Sequence, residues 1–191
     1  MCAGHHTDVS PRRRLFVGIE LDDAARAFVH SAATQLRLPD RGGRFELPEK
    51  FHLTLAFLGW TEEDRLDALH GALTVAGRAS TGFGISLDRF GAFPNKRRAS
   101  IVWIGSEPQS EPFNRLADTV SEQLAFAGWT VDRKPQPHVT VARLKPSRRL
   151  SLPRLAEPHR LVVERLSLFQ SLPAGPTTRY EVLSRFILGE T

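Results

Sequence analysis

Two short segments of one design constrain this chain more than anything else in it. His52-Leu53-Thr54-Leu55 and His138-Val139-Thr140-Val141 each alternate polar with apolar residues. Two-residue alternation marks a strand with one face in a core. Histidine and threonine therefore share one face of each strand, and the aliphatic residues share the other. A fold that accepts both segments must bury two aliphatic faces and leave two imidazole–hydroxyl pairs on the opposite sides. The tripeptide itself is a weak signal, because seven histidines and twelve threonines in 191 residues produce His-x-Thr about 0.4 times by chance. A third match, His5-His6-Thr7, lacks the apolar alternation and is read as coincidence. Strand context and placement in two comparable halves separate the other two from it.

Around these segments the chain reads as alternating short strands and helices. Leu15 to Ile19 is a β-rich buried strand. Asp22 or Asp23 caps a helix to about Leu38, with Ala24, Ala25, Phe28, Val29, Ala32 and Leu36 at helical spacing and Pro39 with Gly42-Gly43 ending it. Phe51 to Leu58 is the next strand, closed by Gly59, and Thr61 with Asp64 resembles a capping box for a helix from Glu62 to about Arg78. Phe83 to Phe93 and Ala99 to Ile104 are predicted to form a hairpin about Pro94-Asn95-Lys96-Arg97. A third helix runs from about Pro112 to Ala127 and stops at Gly128. The strand His138 to Leu144, a loop from Lys145 to Pro158, and two strands, Leu161 to Phe169 and Arg179 to Leu188, complete the pattern. Three helices are too few to serve as crossovers for every strand pair. The expected class is α+β with largely antiparallel sheets.

The chemistry that calls for two imidazoles without other ligands is in-line attack at a phosphodiester. A neutral histidine takes the nucleophile's proton while a protonated one supplies the leaving oxygen. An unperturbed pKa of about 6.5 lets one pair hold both roles near neutrality. Thr54 and Thr140 supply hydroxyl donors for non-bridging phosphate oxygens. If the halves pack about a pseudo-two-fold axis, the two pairs meet across one cleft. Symmetry leaves open which histidine is acid and which is base. Neither strand adds a third His, Cys or acidic residue at ligand spacing, so no metal and no other cofactor is expected. A net charge of +5 suits an anionic partner. The single cysteine, Cys2, fits a reducing cytoplasm, and the first fourteen residues lack the apolar core of a signal peptide. No apolar run reaches membrane-spanning length, and a monomer is expected.

At these residues the chain resembles the two-histidine (2H) phosphoesterases, and within them the bacterial RNA 2',3'-cyclic phosphodiesterase (2'-5' RNA ligase-like) branch. The likeness runs from Arg14 to about Leu188. It is carried by Arg14-Leu15-Phe16-Val17, Pro48 to Gly59, Gly91-Ala92-Phe93-Pro94, Val102-Trp103-Ile104-Gly105, Pro137 to Arg143, Leu168-Phe169-Gln170-Ser171 and Tyr180-Glu181-Val182-Leu183, in that order. The resemblance implies a bilobal fold over residues 14–191 with a flexible tail at 1–13, two sheets lining a central groove and helices outside. It implies opening of RNA or nucleotide 2',3'-cyclic phosphate ends to 2'-phosphates, with His52 as proton donor and His138 as proton acceptor. Joining or cleaving 2'-5' linkages at the same site, or binding RNA ends without turnover, are the other readings.

Two further residues enter as candidates for substrate binding. The family places a basic residue where Arg143 stands, five after His138. An odd offset puts Arg143 on the wrong face of a straight strand, so the role requires the strand to twist or end first. Phe16 either stacks on a base at the groove floor or packs in the core. Lys96-Arg97-Arg98 and Arg148-Arg149 are basic loop clusters that either track an RNA backbone or are simply solvated. His30, His70 and His159 lie outside the motif and are read as surface residues.

Overall fold

Strand pairing organises this molecule. In the computed structural model, which describes residues 11–38, 42–106, 110–131 and 134–189, the order is β1 (Arg12–Glu20), α1 (Asp23–Ala33), β2 (Gly43–Phe45), β3 (His52–Glu62), α2 (Leu66–Arg78), β4 (Phe83–Leu87), β5 (Arg89–Phe93), β6 (Ala99–Gly105), α3 (Glu111–Phe126), β7 (His138–Arg148), β8 (His159–Val163), β9 (Arg165–Ala174) and β10 (Thr177–Ile187). The strands form one sheet of order β10-β9-β1-β3, a second of order β2-β7-β6-β5, and a two-stranded ribbon of β4 with β8. Every pairing between strands is antiparallel. The class is α+β, as expected.

The aliphatic alternation does what the sequence asks of it. Leu53 and Leu55 of β3, and Val139 and Val141 of β7, are buried to 1% exposure or less. They meet helices laid on the far side of each sheet. α1 packs on β7 and β8, whereas α2 and α3 pack on each other and reach β10 and β3 respectively. Asp22 supplies the cap of α1, its Oδ1 accepting from the Ala25 amide at 2.7 Å.

Element boundaries depart from the sequence reading at several places, each for a pairing reason. α1 stops at Ala33 rather than near Leu38, because the Thr34 amide is shared between two carbonyls and turns follow; Leu36 stays buried all the same. β3 does not close at Gly59 but continues to Glu62, since β1 begins at Arg12 and pairs with it throughout (Arg12↔Glu62, Arg14↔Trp60). Thr61 is therefore a strand residue and caps nothing, and α2 begins at Leu66 after a 3-10 turn at Glu63–Arg65. The predicted strands Phe83–Phe93 and Leu161–Phe169 are each two strands. Asp88 and Glu164 break them, so that β4 pairs with β8 while β5 and β9 join different sheets. β7 extends through Arg148 into the predicted loop, and β2, absent from the sequence reading, pairs beside it. The hairpin of β5 and β6 stands where it was predicted, with Asn95 Oδ1 accepting from the Arg97 and Arg98 amides. Pro39 and the tail residues His5, His6 and Thr7 lie outside the described residues.

The sheets do not divide the chain into two halves. The first takes β1 and β3 from the beginning and β9 and β10 from the end; the second takes β2 from the beginning and β5 to β7 from the middle. What repeats is local: β3 beside β1 in one sheet, β7 beside β6 in the other.

Candidate active site

Each motif histidine is anchored in the same way. His52 Nδ1 lies 2.7 Å from the Lys50 carbonyl, and His138 Nδ1 lies 2.7 Å from the Gln136 carbonyl. A carbonyl only accepts, so in both rings Nδ1 carries the hydrogen, and Nε2 is left as the nitrogen available for proton exchange. On the first strand Nε2 is 3.1 Å from the Thr54 hydroxyl. Thr54 is buried and Thr140 half-buried.

Aromatic rings pack around both imidazoles. His52 touches Phe16 (4.8 Å between centroids), Tyr180 (5.1 Å, edge-on) and Phe169 (5.6 Å). Phe16 is 4% exposed and stacks on Phe169 at 4.7 Å and 2°. It is packed in the core, as one of the two expectations had it, and its ring forms a wall beside His52. His138 meets Phe93 edge-on at 4.9 Å and Trp103 at 6.1 Å.

His52 feels the charges of His138, Arg143 and Lys50, and His138 feels that of Arg143. Burial lowers the pKa of His52 first; repulsion from His138, Arg143 and Lys50 adds to it, and the bond to the Lys50 carbonyl only partly offsets it. The result is a value pushed down to about 4. His138 is also lowered, by burial and then Arg143, against the support of the Gln136 carbonyl.

Arg143 reaches this neighbourhood through a β-bulge. The register against β6 steps from Trp103↔Thr140 to Val102↔Ala142, leaving Val141 as an extra residue. Val141 and Ala142 are both buried, and the alternation resumes with Arg143 on the face of His138 and Thr140. β3 has the same device at the same place: Gly18↔Thr54 is followed by Val17↔Ala56, with Leu55 extra. The residue equivalent to Arg143 is then Phe57, five after His52. The two strands match through histidine, threonine and bulge, and differ immediately beyond.

Several site residues had no motif to announce them. Glu46, 7% exposed, accepts from Arg143 Nε at 2.6 Å and pairs with Lys50 Nζ at 2.7 Å. Burial opposes its ionisation, but Lys50 and Arg143 outweigh this and hold its carboxyl below the usual range. Lys50 in turn bonds Thr177 at 3.2 Å and lies 5.3 Å from the centre of the Tyr180 ring. Only an acidic residue six before a motif histidine hinted at Glu46, and its partner is 97 residues away.

Among the described residues, no other histidine contacts His52 or His138. His30 is exposed. His70 is half-buried, edge-on to Phe186 with Ser184 Oγ at 3.3 Å, and His159 in β8 stacks on Phe28 at 5.0 Å with its Nε2 enclosed, so neither is the plain surface residue expected. Among the described residues, no three His, Cys, Asp or Glu side chains come together in a ligand set. No helix among them is long and apolar enough to cross a membrane.

Comparison with known proteins agrees with this arrangement. A protein named RNA 2',3'-cyclic phosphodiesterase from Archaeoglobus fulgidus is 36% identical over 132 residues, covering 69% of this chain and 73% of its own length. One of the same name from Escherichia coli is 31% identical over 183 residues, covering 94% and 99%. The crystal structure of Escherichia coli LigT complexed with 3'-AMP superposes with a TM-score of 0.77 at 28% identity, covering 93% of this chain and 99% of that one. The sequence pattern of the 2'-5' RNA ligase superfamily matches residues 21–172, and the chain belongs to that family.

Proposed function

We propose that this protein hydrolyses 2',3'-cyclic phosphate ends of RNA or nucleotides to 2'-phosphates, with His52 and His138 as the acid–base pair. The observation that carries the reading is the matched pair of imidazoles, each tied through Nδ1 to a carbonyl two residues upstream, each followed two residues later by a threonine, one from each sheet. The names of the relatives and the nucleotide bound by LigT support the substrate class.

In this scheme neutral His138 Nε2 removes a proton from water as its oxygen attacks phosphorus. The bond from phosphorus to the 3' oxygen breaks, and His52, as imidazolium, protonates that oxygen. Thr54 and Thr140 donate to the non-bridging oxygens, and Arg143 balances charge gathering there. The division of roles follows the family resemblance. With its pKa near 4, His52 accepts its proton readily only when the substrate's phosphodiester anion lies against it. The substrate thereby helps to charge its own acid.

The experiment is turnover of a 2',3'-cyclic nucleotide in EDTA, with the phosphate position of the product identified. Wild type should yield the 2'-phosphate, and His52→Ala/His138→Ala should lose at least about 10³-fold in kcat. Full activity in the double variant sinks the reading. Binding of RNA ends without turnover would make the protein a binding module, and joining of RNA ends in the same preparation would identify the ligase sense of the chemistry.

A further inference from the structure

The face of β3 that carries His52 continues past Thr54. Its bulges, at Leu55 and again at Leu58, keep successive positions on the face of His52: Glu20↔His52, Gly18↔Thr54, Phe16↔Phe57 and Arg14↔Trp60 pair in turn across β1. Residues paired across an antiparallel ladder share a face. One line along the strand therefore reads imidazole, hydroxyl, benzene ring, indole. Phe57 is 71% exposed and Trp60 69% exposed, whereas Phe16, 6.2 Å from Phe57, is buried. Isolated apolar residues on a surface need no explanation, but two large exposed rings on the strand face that carries His52 call for one. Arg14, opposite Trp60, is exposed and has no acidic partner among the described residues. The position on the second sheet equivalent to Phe57 is Arg143, with Arg44 paired beside it on β2.

From this alignment, and resting on the function proposed above, we infer that Phe57 and Trp60 form a stacking track for the nucleotides preceding the cyclic phosphate, so that the preferred substrate is an RNA strand rather than a mononucleotide. Consecutive same-face positions along β1 are about 7 Å apart, a step that an extended single strand spans with one nucleotide. With the phosphate between the threonines, the terminal base falls on Phe57 and the preceding base on Trp60, while Arg14, paired with Trp60, offers a cation to the phosphate between them. Aromatic faces accept any base, so the track selects for single strands over duplexes and not for sequence. A protein partner or a second copy of the chain would use the rings without Arg14 and without the line to His52.

The test compares kcat/KM for a cyclic mononucleotide with that for a short single-stranded RNA ending in a 2',3'-cyclic phosphate. Wild type should favour the oligonucleotide. Trp60→Ala should lower the oligonucleotide-to-mononucleotide ratio roughly 5- to 100-fold, the usual range for one lost base stack, and Trp60→Phe should restore most of it. A ratio changed less than twofold in Trp60→Ala overturns the inference. A readout independent of turnover comes from fluorescence. Trp103 and Trp129 are 6% and 7% exposed, so Trp60 dominates red-edge emission. An RNA trinucleotide bearing a 2'-phosphate should quench that emission in wild type and not in Trp60→Phe. Quenching that persists in Trp60→Phe overturns the track, as does a wild-type dimer that Trp60→Ala dissociates while the ratio holds. If neither substrate is turned over, the proposed reaction fails, and the quenching titration alone decides the track.

Discussion

Glu46 shows how much of a site can hang on a residue that takes no direct part in the proposed chemistry. Its carboxylate, almost entirely enclosed, holds Lys50 on one oxygen and Arg143 on the other. Lys50 supplies the carbonyl that orients His52, and Arg143 is the cation acting on both imidazoles. One buried anion thus links the anchor of the first strand to the arginine of the second. Exchange for glutamine keeps the shape and removes the charge, leaving the Lys50 ammonium, itself 9% exposed, without its counter-charge. Glu46→Gln should lose about 3 kcal/mol of stability in urea unfolding at pH 7. A loss under about 0.5 kcal/mol would mean that packing holds the cluster. From sequence, neither Glu46 nor Lys50 stood out as a site residue, because the bond that ties them to the second motif strand, Arg143 to Glu46, spans 97 residues and leaves no periodicity. The histidines and threonines were legible, because alternation is a property of adjacent residues.

At the scale of elements, the bulge decides what alternation alone cannot. An unbroken β7 would turn Arg143 into the core; one extra residue at Val141 returns it to the face of His138 and Thr140. The sequence reading recognised that the strand had to be interrupted without seeing where. Tight contact between β5 and β6 positions the second pocket in a similar way. A Cβ on Gly91 would come 1.9 Å from Cζ2 of Trp103, whose indole backs Phe93 and His138. Gly91→Ala must therefore push the indole toward His138 or part the strands. About 1–3 kcal/mol of destabilisation is expected, read as a lowered Tm. Cyclic-nucleotide turnover of the folded variant should fall as well. Unchanged Tm and turnover together would show that the ring moves aside freely.

For the whole molecule, the enclosed imidazoles set a pH window. Both have pKa values below the ordinary 6.5, so the unfolded chain binds protons that the folded chain refuses. Stability is then fully present above about pH 6.5 and is lost as pH falls from there toward 4. The His52 share at pH 4.5 is of order 2–3 kcal/mol. Below about pH 4.5 a second loss begins, since the carboxyls of Glu20 and Glu46 are held below their usual range by Arg185, Lys50 and Arg143 against the opposing effect of burial. Urea midpoints at pH 7 and pH 4.5 should differ clearly in wild type and much less in His52→Gln. Equal differences in the two proteins would place the acid sensitivity elsewhere.

By itself the sequence determined where the three helices and most of the strands lie, which side of β3 and β7 is aliphatic, and that two imidazole–hydroxyl pairs stand on the opposite side. Each of these follows from geometry between near neighbours along the chain. Only the tertiary structure decided that Phe83–Phe93 and Leu161–Phe169 divide between sheets, that the sheets mix the two ends of the chain with its middle, and that Phe16, Glu46, Lys50 and Tyr180 gather at His52. Those outcomes depend on register and on contacts between residues up to 165 positions apart. A pattern with a two-residue repeat says which face is buried, but it is indifferent to which strand lies alongside.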